Sequence, residues 1–442
     1  MTDILLKNCD VLSFEGGKAH VEWNQDIAIQ GNAIASISKH GSIQENECKQ
    51  VMDVSGLLAV PGFINTHAHV PMVLFRNLAE DVTVEEWFND YIWPMESNLT
   101  EEDVYWGAQL GLAEMIENGI TCVADHYFYM DEVAKAVELA GTRANLVWAV
   151  FGHQGEEMLD KTVEFTRRWQ GKADGRITTW LGPHAPYTTS PEFLKLCAEK
   201  AKQNDLGIHI HLAETEAQTD LSLKEFGVTP VKQVYECGVL DVPTILAHVI
   251  APRGDDFEIL QKADTGIAQA PRTYLKHGMG LAPIDQYKEY GIPFGLATDG
   301  AVSNNAMDIM EQMRLISLFT KFKHLDPTVM KIDEVLDITF RGSAKVMHMP
   351  DRIGELKAGR LADITLLRQD GLHVTPRTNQ LAALIYCARA SDVDTVLCNG
   401  KVLMQGRQLL TLDKTRIQQE VQNRWERLSK RLPGERIAFY PA

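Results

Sequence analysis

The sequence predicts an α/β protein: a (β/α)8 barrel joined to a small β domain drawn from both chain ends. Through the middle of the chain, short apolar runs alternate with amphipathic stretches, the pattern of repeated strand–helix units on a parallel sheet. Eight such runs can be counted, the number that closes a barrel. Both ends instead show the alternation and Gly/Asn punctuation of antiparallel sheet.

At the start, "ILLKNCDVLS" and "DIAIQGNAIASIS" fall within residues 3–59. The barrel runs follow as "LLAVPGFINTHAH" (57–69), "ITCVADHYF" (120–128), "ANLVWAVFGH" (144–153), "ITTWLGPHAP" (177–186), "LGIHIHLAET" (206–215), "PTILAHVI" (243–250), "TGIAQAP" (265–271) and "PFGLATDG" (293–300). Helical patterns between them include 101–118, 130–140 and 191–204. "GRLADITLLR" (359–368) and "VDTVLCNGKVLMQGRQL" (393–409) return to alternation, the latter with an Asn399-Gly400 hairpin turn. The expected division is 1–59 with 355–442 as one composite β domain, and 60–354 as the barrel.

Composition narrows the function. Sixty acidic against 43 basic residues give a formal net charge of -17, which repels polyanions and argues against nucleic acid as a partner. A small neutral or cationic molecule fits better. The seven cysteines are odd in number and lack any CxxC pair, so they read as reduced thiols, most of them in the core. Without a leader pattern or a long apolar run, the expected setting is the cytoplasm, with no membrane partner.

The tail of almost every apolar run carries a His, an Asp or a Glu, where the catalytic end of a barrel lies. His67 and His69 close the first run, and side chains two apart on a strand share a face. His211 closes the fifth run, His248 the sixth and Asp299 the eighth. Imidazoles with a carboxylate suit a borderline divalent ion such as zinc. A lone strand-end His is usually structural, but packing does not explain the joint pattern. His209 faces the same way as His211 and is expected deeper in the barrel, as packing or as support for a ligand. Glu214 follows at the loop, either as a proton carrier beside the metal or as a helix-start carboxylate.

These residues resemble the amidohydrolase superfamily, in its deaminase and chlorohydrolase branch. The resemblance covers nearly the whole chain. It rests on "PGFINTHAHVPMVLFRNLAEDVTVEEWF" (61–88), "GPHAPYTTSPE" (182–192), "HIHLAETEAQ" (209–218), "LAHVI" (246–250), "ATDGAVSNNAMDIMEQMR" (297–314) and "IGELKAGRLADITLL" (353–367). It implies a distorted barrel beside a β-sandwich built from both termini. It also implies one divalent metal, zinc with iron as the alternative, since the fourth run lacks the lysine that bridges two metals. The ligands it implies are His67, His69, His211 and Asp299, with Asp299 also accepting a proton from the attacking water. Glu214 is implied as the proton shuttle and substrate contact, and His248 as the group that orients the nucleophile.

The substrate is implied to be a small heterocycle, most like that of the methylthioadenosine/S-adenosylhomocysteine deaminase group. There Glu96 in "WPMES" would hold ribose hydroxyls and His184 would approach the purine edge. Deamination or dechlorination of a pterin, a guanine-like base or an s-triazine is the alternative. The chain departs from the group after the seventh run, in "QAPRTYLKHGMGLAP" (269–283). Arg272 and Tyr274 there either hold a different heterocycle or pack beneath the loop. A catalytically silent relative would have lost metal ligands, whereas all four are kept here. Homo-oligomers are common in the group.

Overall fold

The computed structural model describes residues 2–430 of the 442-residue chain. Strands β1 (Thr2–Glu15), β2 (Lys18–Gln30), β3 (Ala33–Lys39), β4 (Cys48–Asp53) and β5 (Leu57–Pro61) open the chain. The barrel strands are β6 (Phe63–His69), β7 (Ile120–Tyr127), β8 (Arg143–Val150), β9 (Ile177–Pro183), β10 (Ile208–Leu212), β11 (Thr244–His248), β12 (Thr265–Gln269), β13 (Phe294–Leu296) and β14 (Asp299–Gly300). The terminal sheet is completed by β15 (Ile364–Arg368), β16 (Val393–Cys398), β17 (Lys401–Gln405) and β18 (Gln408–Leu409).

The central sheet runs β13-β12-β11-β10-β9-β8-β7-β6-β14, every pairing parallel. β13 and β14 are halves of one interrupted strand: β13 pairs with β12, and β14 pairs with β6. The sheet thereby closes into the eight-stranded barrel expected. Its strands are buried along nearly their whole length, as parallel strands covered by helices must be.

Helices around the barrel begin and end where the sequence supplies caps. Thr100 and Asp103 form a capping box on Glu101–Glu117, and Ser190 caps Pro191–Gln203, which has proline in its first turn. Met130–Ala140 ends at Gly141, in the left-handed region at φ 87°. Gly111 creates a notch: a Cβ there would lie 2.6 Å from Val70 Cγ1. That notch seats the 3-10 segment Val70–Phe75, which leaves the barrel directly after His69.

The two termini share one sheet of order β18-β17-β16-β15-β5-β1-β2-β3, with β4 added beside β1. It folds around its own core of Leu6, Val11, Ile27, Ile29, Ile364 and Leu366, matching the composite domain expected from the ends. The run 57–69 divides between the two sheets, with β5 pairing with β15 and β6 with β7. Pro61 and Gly62 mark the switch. Helix Lys414–Leu428 lies on the barrel helix Glu101–Glu117, where Arg427 pairs with Asp103 at 2.5 Å. Residues 431–442, the last part of the expected 355–442 segment, lie outside the described residues. All seven cysteines are free, five of them buried. Among the described residues no helix is long and apolar enough to cross a membrane.

Candidate active site

The carboxyl ends of the barrel strands face a cavity of about 600 Å3, including its open mouth. His69, His211, His248 and Asp299 line it, together with Glu214, Glu96 and His184. His67 lies just beneath, 1% exposed.

Strand geometry brings the four expected ligands together. The ring centroids of His67 and His69 are 4.8 Å apart, as same-face neighbours on β6 must be close. β14 pairs with β6 in a register that sets Asp299 opposite Ala68, between the two imidazoles. Asp299 Oδ1 consequently lies 3.5 Å from His67 Nε2 and 3.3 Å from His69 Nε2. His211 Nε2 is 3.3 Å from His69 Nε2. Candidate ligand atoms of His67, His69 and His211 all fall within 4.8 Å of one another, as do those of His67, His248 and Asp299.

The second nitrogen of each imidazole shows which way the first must face. His69 Nδ1 donates to the His126 carbonyl at 2.6 Å, and His211 Nδ1 donates to the His184 carbonyl at 2.9 Å. A neutral ring that donates from Nδ1 presents an unprotonated Nε2 lone pair. His67 Nδ1 meets His209 Nε2 at 2.9 Å. His67 Nε2 is buried and makes no hydrogen bond among the described residues, with Asp299 Oδ1 3.5 Å away. A buried nitrogen facing two more imidazole nitrogens and a carboxylate is poorly satisfied by hydrogen bonds alone. The donor set fits a divalent cation.

Electrostatics divide the imidazoles: without a cation His67 and His211 are neutral, whereas His69 keeps a second proton against Asp299. Burial pushes His67 down to about 3 and His211 well below its usual value, so both are neutral. Burial opposes charge on His69 as well, but the hydrogen bond and charge of Asp299 outweigh it and push His69 up to about 9. Asp299 is held well below the usual carboxylate range by the facing imidazoles, against the opposing effect of burial. Its Oδ2 accepts a 2.9 Å hydrogen bond from Ser303, which leaves Oδ1 for the cluster. Asp299 and His248 both occupy the left-handed region, at φ 63° and 76°, which few non-glycine residues adopt. Strain of this kind collects at functional sites.

Glu214 precedes the helix Glu216–Phe226, whose cap is Thr215. Its Oε2 accepts from Tyr187 Oη at 3.2 Å and from Gln218 Nε2 at 3.3 Å. Oε1 lies 3.9 Å from His248 Nε2, so the carboxylate stands at the edge of the imidazole cluster. Glu96 closes the short helix Trp93–Glu96 and accepts from Tyr127 Oη at 2.6 Å. Burial pushes it up to about 7. His184 stacks on Phe151 with ring centroids 4.6 Å apart.

The cavity wall also contains residues not singled out from the sequence: His126 and Tyr127 at the end of β7, Phe128 just after it, the aromatic pair Trp87 and Phe88, and Ser303. His126 and Tyr127 were signalled by the "DHYF" tail of the second run. Arg272 and Tyr274 do not line this cavity. Arg272 pairs with Glu311, and Tyr274 is 3% exposed with its hydroxyl accepting from Ala270 N at 2.9 Å. Both belong to the helix Pro271–His277, Arg272 partly exposed and Tyr274 with its ring centroid 5.7 Å from that of His248.

Known proteins share this architecture. A 5-methylthioadenosine/S-adenosylhomocysteine deaminase of Pelotomaculum thermopropionicum is 40% identical over 434 residues, 98% of this chain and 100% of that protein. The enzyme of the same name from Carboxydothermus hydrogenoformans is 40% identical over 95% of this chain and 97% of its own length. Among solved structures, a zinc complex of atrazine chlorohydrolase from Arthrobacter aurescens superposes with a TM-score of 0.86 at 25% identity, covering 97% of this chain and all of that one. A zinc-bound adenosine deaminase from Xanthomonas campestris has the same fold, with a TM-score of 0.90 at 24% identity over 97% of this chain and 98% of that one. The model of the amidohydrolase family matches residues 58–403, from β5 through the barrel and into β17. By that match and by its full-length relatives, the chain belongs to the amidohydrolase family.

Proposed function

We propose that the protein is a metal-dependent hydrolytic deaminase of an adenosine-type nucleoside, with 5'-methylthioadenosine, S-adenosylhomocysteine and adenosine as the candidate substrates. One observation carries the reading: the Nε2 atoms of His69 and His211 and Oδ1 of Asp299 converge beside Glu214, within an aromatic-walled cavity. His67, His69, His211 and Asp299 would hold the cation, zinc in this reading and iron as the alternative. When bound, the cation supplies a water acidic enough to be nucleophilic near neutral pH.

The residues of the chain do the remainder. Asp299, fixed through Oδ2 by Ser303, offers Oδ1 to the proton leaving the attacking water. His248 orients that water and stabilises the developing tetrahedral carbon. Glu214, steadied by Tyr187 and Gln218, delivers a proton to the ring nitrogen beside the amine-bearing carbon, so that the aromatic ring can accept attack. Asp299 passes the first water proton to the amine, which leaves as ammonia, while the hydroxyl proton returns to Glu214 and the ring retains the oxygen as an oxo group. Trp87, Phe88, Phe128 and Phe151 bury the flat base. His184 faces its edge, and Glu96 accepts from ribose hydroxyls.

Glu96 favours a riboside over a free base, pterin or triazine, because a partly buried carboxylate on the cavity wall matches hydroxyl donors. The names of the full-length relatives point the same way. Free thiols throughout accord with a reducing, cytoplasmic setting. The test is ammonia release from metal-loaded protein across the three adenosines, guanine, pterins and aminotriazines. Turnover of the adenosines well above all others is expected, and a preference for a base without ribose would overturn the substrate assignment.

A further inference from the structure

Helix Ile309–His324 follows the last barrel strand and buries Ile309, Met313, Ile316 and Thr320 on its inner side. Its outer side is not polar. Leu315, Leu318 and Phe322, with Leu325 at the cap, recur at spacings of three, four and three residues, the seam by which one helix packs along another. Yet Leu318 is 48% exposed, Phe322 76% and Leu325 86% among the described residues. Leu325 also closes the helix in the left-handed region, at φ 49°, where glycine or asparagine is the comfortable residue. An exposed leucine there adds no packing to its own chain.

Beside this ridge runs an apolar groove of about 410 Å3, including its open mouth. Pro271, Leu281 and Ile284 line it, and Ile316 and Phe319 of the same helix line it too. Phe319 and Phe322 are three residues apart, hence neighbours on the helix surface. Ridge and groove therefore share one face, the condition under which a surface fits a second copy of itself across a twofold axis. At about 180 Å2 for a free side chain of this size, Leu318, Phe322, Leu325 and the 38% exposed Leu281 leave roughly 450 Å2 open. Two copies bring about 900 Å2, and the groove walls carry the total to the roughly 1,000 Å2 of a specific interface. Charge permits the approach. Residues 312–325 contain no acid in a chain of net charge -17, and at their rim His324 meets Asp285 at 2.7 Å and Lys323 meets it at 3.9 Å. Two such faces meet without the acid-on-acid repulsion that the net charge imposes elsewhere.

We infer that this face is the interface of a twofold homodimer, in which Phe322 of each copy enters the other copy's groove and the two Leu315–Leu325 seams lie against each other. The inference is independent of the reaction, because none of these residues lines the cavity at the barrel mouth.

Sedimentation velocity of full-length, metal-loaded protein at micromolar concentration is expected to give about 99 kDa, twice the 49.5 kDa of one chain. Phe322→Asp removes the ridge and Leu281→Arg obstructs the groove, and each alone should weaken self-association by about 100-fold or more while cooperative melting and metal content hold. Trp23→Asp, at a half-exposed position on β2, should leave the dimer intact. Hydrogen exchange on the parent needs no variant: amides of 271–285 and 315–325 should exchange more slowly in the dimer than after dilution to monomer. A monomeric parent overturns the inference and leaves the face to another occupant. A dimer that survives both variants, or exchange in these two segments that does not differ between dimer and monomer, places the interface elsewhere and overturns it as well.

Discussion

Three of the clustered imidazoles, those of His67, His69 and His211, are directed by what the far nitrogen does, so the residue scale extends one contact outward. His209 carries the clearest consequence: replaced by phenylalanine, it frees His67 to rotate or change tautomer, and zinc affinity should fall by about 10–100-fold in a competition titration with a chelator. Unchanged affinity would reduce His209 to packing. Glu214→Gln keeps the hydrogen bonds but loses the transferable proton, so metal content should hold while kcat falls by about 100-fold or more. Glu96 makes a prediction in pH. Its carboxyl is raised to about 7, so it is protonated below that value and ionised above it. Only the ionised form accepts two hydroxyl donors, so KM for ribosides should fall as pH rises through about 7, and Glu96→Gln should flatten the profile. For stability the sign is opposite. The folded state binds this proton more tightly than the unfolded chain, so the contribution of Glu96 is lost as pH rises, and Glu96→Gln should gain melting temperature relative to the parent from pH 5 to pH 8.

At the scale of elements, the site depends on strands ending in the correct register and on helices lying close enough to hold them there. Gly266 on β12 shows how tight that contact is. A Cβ at this position would come within 2.5 Å of Val346 Cα, on the short helix Ser343–Val346. The nearest atom is backbone, which cannot swing aside. Gly266→Ala should therefore destabilise the fold by about 1–3 kcal/mol in a denaturant titration, with activity falling alongside. Stability equal to the parent would mean that the helix shifts freely. Sequence periodicity located all eight barrel strands, because burial on both faces leaves an apolar run that loops do not share. It did not divide the first run into two sheets or split the eighth into β13 and β14, since both breaks follow from where the chain must turn in space. We further propose the division 1–59 with 355–442 against 60–354, noting that β5 belongs to the terminal sheet and that Lys414–Leu428 lies on a barrel helix.

Across the whole molecule, barrel and terminal sheet are joined by a buried charge pair. Arg143, at the start of β8, donates from Nε to Asp363 Oδ2 at 2.9 Å and from Nη2 to Asp363 Oδ1 at 3.1 Å. Asn399, in the β16–β17 turn, accepts from the same guanidinium at 3.2 Å and donates its backbone N–H to Asp363 at 2.7 Å. Asp363→Ala leaves that guanidinium buried without its counter-charge, and a loss of about 3–5 kcal/mol is expected in equilibrium unfolding. Replacing both partners, as in Arg143→Met with Asp363→Leu, should recover much of it. A double variant no more stable than the single one would show that the pair does more than neutralise itself.

By itself the sequence determined the barrel and the pairing of its two ends, and it singled out His67, His69, His211, His248, Asp299 and Glu214 as candidates. Those residues were legible because each closes an apolar run, and a strand both buries its length and delivers its last side chains to a common rim. Only the tertiary structure decided which contacts direct them. The His67–His209 bond spans 142 positions of chain, the His69 bond to the His126 carbonyl spans 57, and the barrel closes through a two-residue strand beside His69. It also set Arg272 against Glu311 and Tyr274 against the Ala270 backbone. A periodic pattern reports which face a residue takes on its own element, whereas its partners are set by register between elements far apart in the chain, and that register exists only once the sheet has closed.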